Sequence, residues 1–154
     1  MQFDSKRPFL LAFKGKGGDV DWRLRSLQQQ LELLQASCVE IDCAMQSLID
    51  RFKQSFRPPW PAHLILHNTG NGKYVRWRLP ANRLTRQTYF ELLHSDTGIG
   101  LLQSLPSAVR KVYLEFEQER LQLNLLYGSS HYEARNLERY LDSVRRLISL
   151  KRGL

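Results

Sequence analysis

Apolar residues recur along the first third of the chain with a fixed rhythm. From Val20 they fall at Leu24, Leu27, Leu31, Leu34, Cys38, Ile41, Met45, Leu48 and Phe52, in alternating steps of four and three. Such steps keep every member on one stripe of a 3.6-residue helix, and a seven-residue repeat held this long is the a/d seam of a packed helix. Asp19 offers an oxygen to cap the first free backbone amides, and Asp21 places negative charge near the positive end of the helix dipole. Pro58-Pro59 cannot donate backbone hydrogen bonds and disfavours helical geometry in the residue before it. The spacing therefore predicts one helix over 19–57, a rod of roughly 55 Å at ~1.5 Å per residue.

The period then changes. His63-Leu64-Ile65-Leu66-His67 and Tyr74-Val75-Arg76-Trp77-Arg78-Leu79 are short runs rich in β-branched and aromatic residues, separated by Asn68-Thr69-Gly70-Asn71-Gly72-Lys73. This reads as a β-hairpin over 62–79. Alternation puts Val75, Trp77 and Leu79 on one face of the second strand and Tyr74, Arg76 and Arg78 on the other. After Pro80 a short helix is expected over 85–94, capped by Thr85 or Asn82. Gly98 and Gly100 make 95–105 a loop with at most one helical turn. Pro106 suits the first turn of a last long helix over 106–150. Its apolar face includes Val109, Val112, Phe116, Leu123, Leu126, Tyr127, Ala134, Leu137, Leu141, Val144 and Ile148, and Gly128-Ser129-Ser130 is expected to bend or break it. Residues 1–18 form a basic lead-in loop ending in Gly15-Lys16-Gly17-Gly18. The fold class is mostly α (α+β), one domain, with two long amphipathic helices packed antiparallel beside a central β-hairpin and a short helix.

Composition narrows the class. The chain has 154 residues, 42% apolar and 25% charged, enough for one packed core. No run of about 18 apolar residues exists, so no transmembrane helix is expected. Phe9-Leu10-Leu11-Ala12-Phe13 is too short for a signal-peptide core, and Lys14 and Lys16 stand where a cleavage site would be. Cys38 and Cys43 lie five apart on different helix faces, which argues for reduced thiols and a cytoplasmic protein.

The net charge is +8, and its distribution is uneven. Residues 1–50 hold six Lys/Arg against seven Asp/Glu, residues 91–154 nine against eight, and residues 51–90 eight against none. A concentrated basic segment points to an anionic partner, the alternative being a merely solvated surface.

Enzymatic motifs do not emerge. Lys14-Gly15-Lys16-Gly17-Gly18 lacks Walker spacing, and Asp19 and Asp21 put negative charge where a phosphate would sit. His63 and His67 would share a strand face, but about 13 Å of strand separates them, too far for one metal ion. No Ser or Cys sits in a strand–turn–helix elbow. Glu115, Glu117 and Glu119 lie near Arg110, Lys111 and Arg120 on a helix, the usual composition of a solvated face. Glu117, Arg120 and Asn124, at i, i+3 and i+7, line one stripe. They form either a recognition site or, the favoured reading, a buried polar network that fixes helix register. No catalytic residue, metal, cofactor or small-molecule substrate is implied.

The hairpin carries the strongest functional signal. Lys73, Arg76, Arg78, Arg83 and Arg86 are interleaved with Tyr74 and Trp77. Guanidinium forks bind phosphates and aromatic rings offer faces to bases, while a two-stranded ribbon fits a DNA major groove. Trp77, alternating with Val75 and Leu79, belongs to the core. Lys73, Tyr74, Arg76, Arg78, Arg83 and Arg86 are therefore the expected nucleic-acid-binding residues.

Phe13-Lys14-Gly15-Lys16-Gly17, Val75-Arg76-Trp77-Arg78, and Glu117-Gln118-Glu119-Arg120 with Asn124 resemble a family of uncharacterised proteins encoded on bacterial integrating conjugative elements. Some of its members are labelled integrase regulator. The resemblance covers roughly residues 9–150 and implies a mobile-element accessory acting near DNA, without assigned site residues. The expectation is a non-enzymatic nucleic-acid-binding accessory protein, with DNA favoured over RNA and no membrane partner. The alternative is a helical interaction or oligomerisation module. The seam is longer than one small core needs, so a symmetric homodimer is a further expectation.

Overall fold

The computed structural model describes residues 18–80 and 89–153, with side chains from Asp21 onward. The lead-in up to Gly17, and the expected caps Asn82 and Thr85, lie outside the described residues. Helix α1 spans Gly18–Ser55, so Asp19 falls inside its first turn and the chain leaves the helix before Pro58-Pro59. Strands β1 (His63–Thr69) and β2 (Gly72–Arg78) form the expected antiparallel hairpin. A third strand, β3 (Tyr89–Phe90), pairs with the far edge of β2 at Trp77 and Arg78. Helix α2 spans Asp96–Ser104 and helix α3 Ser107–Arg152.

Two expectations are corrected here. The short helix expected over 85–94 is absent from the described part, 89–94, where Tyr89 and Phe90 are strand, and a helix instead occupies 96–104, within the expected loop. Its glycines misled the reading, since each costs about 1 kcal/mol of helix propensity. Packing and capping outweigh that cost. Leu101, Leu102 and Leu105 pack against the core, and the Ser95 hydroxyl accepts from the Gly98 amide at 3.1 Å. Gly98 is also required by space, because a Cβ there would lie 2.3 Å from the Leu92 carbonyl oxygen. The second correction concerns α3, which continues through Gly128 without a break. Intrahelical hydrogen bonds and flanking packing outweigh one glycine.

Helices α1 and α3 run antiparallel. Gln28 and Gln30, early in α1, bond Arg145 and Glu133, while Arg51 near its end pairs with Glu119. The inner face of the sheet lies on the C-terminal half of α1 and the N-terminal half of α3. There the seam residues Met45, Leu48 and Phe52 are fully buried with Leu64, Val75, Trp77, Leu92 and Tyr113. Phe52 is the hub: its ring centroid lies 5.2–5.4 Å from those of Phe56, Trp77, Tyr113 and Phe116. Tyr113 stacks on Trp77 and donates its hydroxyl to the Ala62 carbonyl, and burial pushes its phenol up to about 12. Beyond the sheet, among the described residues, only the two helices remain. A second, smaller cluster joins Leu31 to Ala134, Leu137 and Leu141, while Leu24, Leu27 and Leu34 are half-buried. No helix among the described residues is long and apolar enough to cross a membrane.

Candidate nucleic-acid interface

The register of the hairpin decides which side chains meet. On the outer face, His63 opposes Arg78, Ile65 opposes Arg76, and His67 opposes Tyr74. Tyr89 joins them from β3, as the partner of Arg78. The Arg76 guanidinium lies over the Tyr89 ring, 5.3 Å from its centroid, and the His67 ring packs edge-on against Tyr89 at 5.1 Å. Trp60 stands beside His63 with centroids 5.9 Å apart. The face is thus built from alternating rings and cations.

Its electrostatics are one-sided. Burial, then the charges of Arg78 and Lys53, hold the His63 imidazole below the usual histidine range. Arg76 and Arg78 have no carboxylate partner among the described residues. The Nε atom of Arg78 and the Nδ1 atom of His63, on residues paired across the two strands, are both shielded from solvent and without a hydrogen-bond partner among the described residues.

Lys73 belongs elsewhere. Strand alternation sends it to the inner side with Val75 and Trp77, where it forms an ion pair with Asp42 of α1. Its hydrogen bond to that carboxylate raises its pKa above the usual lysine value. Grouping it with Arg76 and Arg78 is corrected by this parity. Tyr74 is on the outer face and 38% exposed, whereas Arg83 and Arg86 lie outside the described residues. Trp60, His63, His67 and Tyr89 were not singled out for this surface from sequence. The two histidines were legible from alternation, but Tyr89 required knowledge of the third strand.

Nor is the acid-free segment free of acidic neighbours. Arg51 and Lys73 are paired with Glu119 and Asp42, both contributed by the long helices. Arg76 and Arg78 remain as the cations of the sheet without such partners.

Glu117, Arg120 and Asn124 stand behind the sheet as one network. Glu117 accepts from Trp77 Nε1 at 2.7 Å and from Arg120 at 2.6 and 2.9 Å. Arg120 donates onward to the Val75 carbonyl and to Glu91. Asn124 bonds Val75 twice, accepting from its amide at 2.9 Å and donating to its carbonyl at 3.0 Å. Among the described residues β3 pairs with β2 only at Trp77 and Arg78, and at Val75 Asn124 and Arg120 take the place of a strand partner on that edge. Glu117, 2% exposed, and Arg120, 4% exposed, form the buried polar network favoured from their spacing, and only the grouping of Glu117 with the solvated Glu115 and Glu119 is corrected. The position on α3 that faces the bare strand edge, rather than overall helix polarity, decides this.

The hairpin tip is held as well. Gly72 is buried, and a Cβ built on it would lie 3.7 Å from the rings of Tyr127 and His131. Asn71 accepts from Arg135. The ribbon therefore lies along α3 rather than projecting from the body.

No group of three or more metal-ligating side chains occurs among the described residues, and Cys38 and Cys43 are free thiols. The chain matches no family model, no curated protein and no solved structure.

Proposed function

We propose that this chain is a non-enzymatic nucleic-acid-binding accessory protein that holds the phosphate backbone against the outer face of its sheet. One observation carries the reading: Arg76, Arg78, Tyr74, Tyr89 and two histidines share that face, and neither arginine has a carboxylate partner among the described residues. Unpaired guanidinium groups are free to fork onto phosphates, and phosphate contacts dominate nucleic-acid affinity. A bacterial mobile element is the setting that the family resemblance suggests.

The test is fluorescence anisotropy of labelled nucleic acid with Arg76→Glu/Arg78→Glu. Affinity of the parent should fall with salt, with a log–log slope near −0.9 per duplex phosphate or about −0.7 per single-strand phosphate neutralised. The double variant should bind more weakly to all sequences and flatten the slope, with its melting temperature little changed. A folded variant that binds as tightly as the parent at both low and physiological salt overturns the reading.

A second reading, a helical interaction module, draws on the arm beyond the sheet. There Trp22 is 64% and Leu33 73% exposed, and part of the α1 seam is only half-buried. Light scattering at tens of micromolar tests it: a dimer mass supports self-association, and a monomer mass removes it.

A further inference from the structure

We infer that the nucleic acid this face accepts is a single strand, with bases stacked on Tyr74 and on the Arg76–Tyr89 pair. The inference rests on the proposed nucleic-acid function and narrows it by shape. A ribbon that enters a major groove must stand clear of its protein. This hairpin does not: its inner face is packed on α1 and α3, its tip is seated against Tyr127, His131 and Arg135, and its other edge carries β3. Three strands spaced ~4.8 Å apart span about 10 Å between outer axes before side chains are added, and a helical layer lies behind them. A groove about 12 Å wide leaves no room for that body.

A duplex would also leave the rings unused, because its bases are already stacked on one another. Splayed bases of a single strand, by contrast, need flat faces, and both aromatic rings and guanidinium planes supply them. Here these alternate along the sheet. Tyr74 is 38% exposed, and Arg76 lies two residues farther along the same strand face. The Arg76 guanidinium in turn covers the half-buried Tyr89 ring. Tyr74 and Arg78, the strand partner of Tyr89, are four residues apart, about 13 Å at ~3.3 Å per residue. A ring and a guanidinium-covered ring thus follow one another along the face, two stacking platforms with the edges of the Arg76 and Arg78 guanidinium groups left for phosphates. Arg78, paired with His63, extends the cationic side of that row toward Trp60.

The experiment uses the full chain and four labelled probes of about 12 nucleotides or base pairs: oligodeoxythymidine, oligouridine, and a mixed-sequence DNA both as single strand and as duplex. Anisotropy at one fixed salt should show the mixed single strand bound at least tenfold more tightly than its duplex. Tyr74→Leu and Tyr89→Leu keep apolar bulk but remove the stacking face, and each should weaken single-strand binding by roughly five- to a hundredfold. Tyr74→Phe and Tyr89→Phe keep the ring and should bind like the parent. Circular dichroism of each variant confirms the fold before binding is read. A preference for thymidine or for uridine oligomers supports the inference and tells DNA from RNA. Duplex bound as tightly as, or more tightly than, the single strand overturns it while leaving the nucleic-acid function standing. Leu variants that stay folded and bind like the parent overturn it too. Failure of all four probes to bind at low salt overturns the functional reading itself.

Discussion

Arg120→Met should be among the most damaging single changes outside the aromatic core. Arg120 is 4% exposed and makes four hydrogen bonds: two to Glu117, one to the Val75 carbonyl and one to Glu91. Methionine keeps much of the volume and makes none of them. The Val75 carbonyl still has Asn124, and Glu91 is half exposed, so neither loss is severe. Glu117 is the difficulty, since its carboxylate stays buried with only the Trp77 indole as donor. Stranding one member of a buried ion pair costs about 3–5 kcal/mol. For a chain of this length, each kcal/mol moves the melting midpoint by roughly 2–4 °C, so a fall on the order of 6–20 °C is expected. Glu117→Leu/Arg120→Met removes the stranded charge and leaves mainly the Trp77 N–H unpaired, a cost of about 1–3 kcal/mol. The double variant should therefore be more stable than Arg120→Met alone. Urea unfolding followed by circular dichroism measures all four corners of the cycle. A loss below about 1 kcal/mol for Arg120→Met, or a double variant equal to the sum of the singles, would refute the argument that the pair acts as one buried unit.

The two helical glycines should respond in opposite directions. Gly128→Ala meets no atom within 4 Å and should stabilise by about 0.5–1 kcal/mol, whereas Gly98→Ala drives a Cβ into the Leu92 and Glu91 carbonyls and should cost more than 1 kcal/mol; thermal melts that move the same way for both would contradict this. Leu31→Asp puts a charge into the distal cluster, where Leu31 is 6% exposed, and should cost several kcal/mol, so an unchanged melt would mean that the seam is not packed there. His63 takes up its proton less readily in the fold than in the unfolded chain, so stability should fall as pH drops from the ordinary histidine value of 6.5 toward the lowered one. His63→Gln should flatten that limb of the urea-midpoint profile, and an identical profile for parent and variant would show that His63 does not contribute to it.

The long elements were legible because their signal repeats. Nine apolar positions at steps of four and three leave no other period for α1, and alternation in Tyr74–Leu79 fixes both the strand and the core role of Trp77. What failed were elements decided by single contacts. Two glycines argue against α2 at the level of propensity, yet Gly98 is there because the Leu92 and Glu91 carbonyls come too close for any side chain. β3 is two residues long, too short for any periodicity, and exists because Trp77 and Arg78 offer it a strand edge. Gly128 and its two serines looked like a break, but a lone glycine cannot terminate a helix whose neighbours Tyr127 and Ala134 are buried.

The site was legible in its charge and not in its pairing, for a definite physical reason. A count along the chain treats every cation in residues 51–90 as equal, whereas neutralisation depends on partners tens of residues away. Asp42 reaches Lys73 across 31 positions and Glu119 reaches Arg51 across 68. Strand parity could have separated Lys73 from Arg76 and Arg78 without any structure, because residues an odd number apart face opposite ways. It could not have revealed the partners on the inner side: Lys73 has Asp42, Arg120 has Glu117, and Val75 has Asn124. On the outer face Arg76 rests on a ring, and Arg78 Nε and His63 Nδ1 have no hydrogen-bond partner among the described residues, which is equally true of Asp42 Oδ1 on the inner side. The faces therefore differ in charge pairing: Lys73 and Arg120 on the inner side have carboxylate partners, whereas Arg76 and Arg78 have none among the described residues, and the proposed phosphate contact draws on that difference.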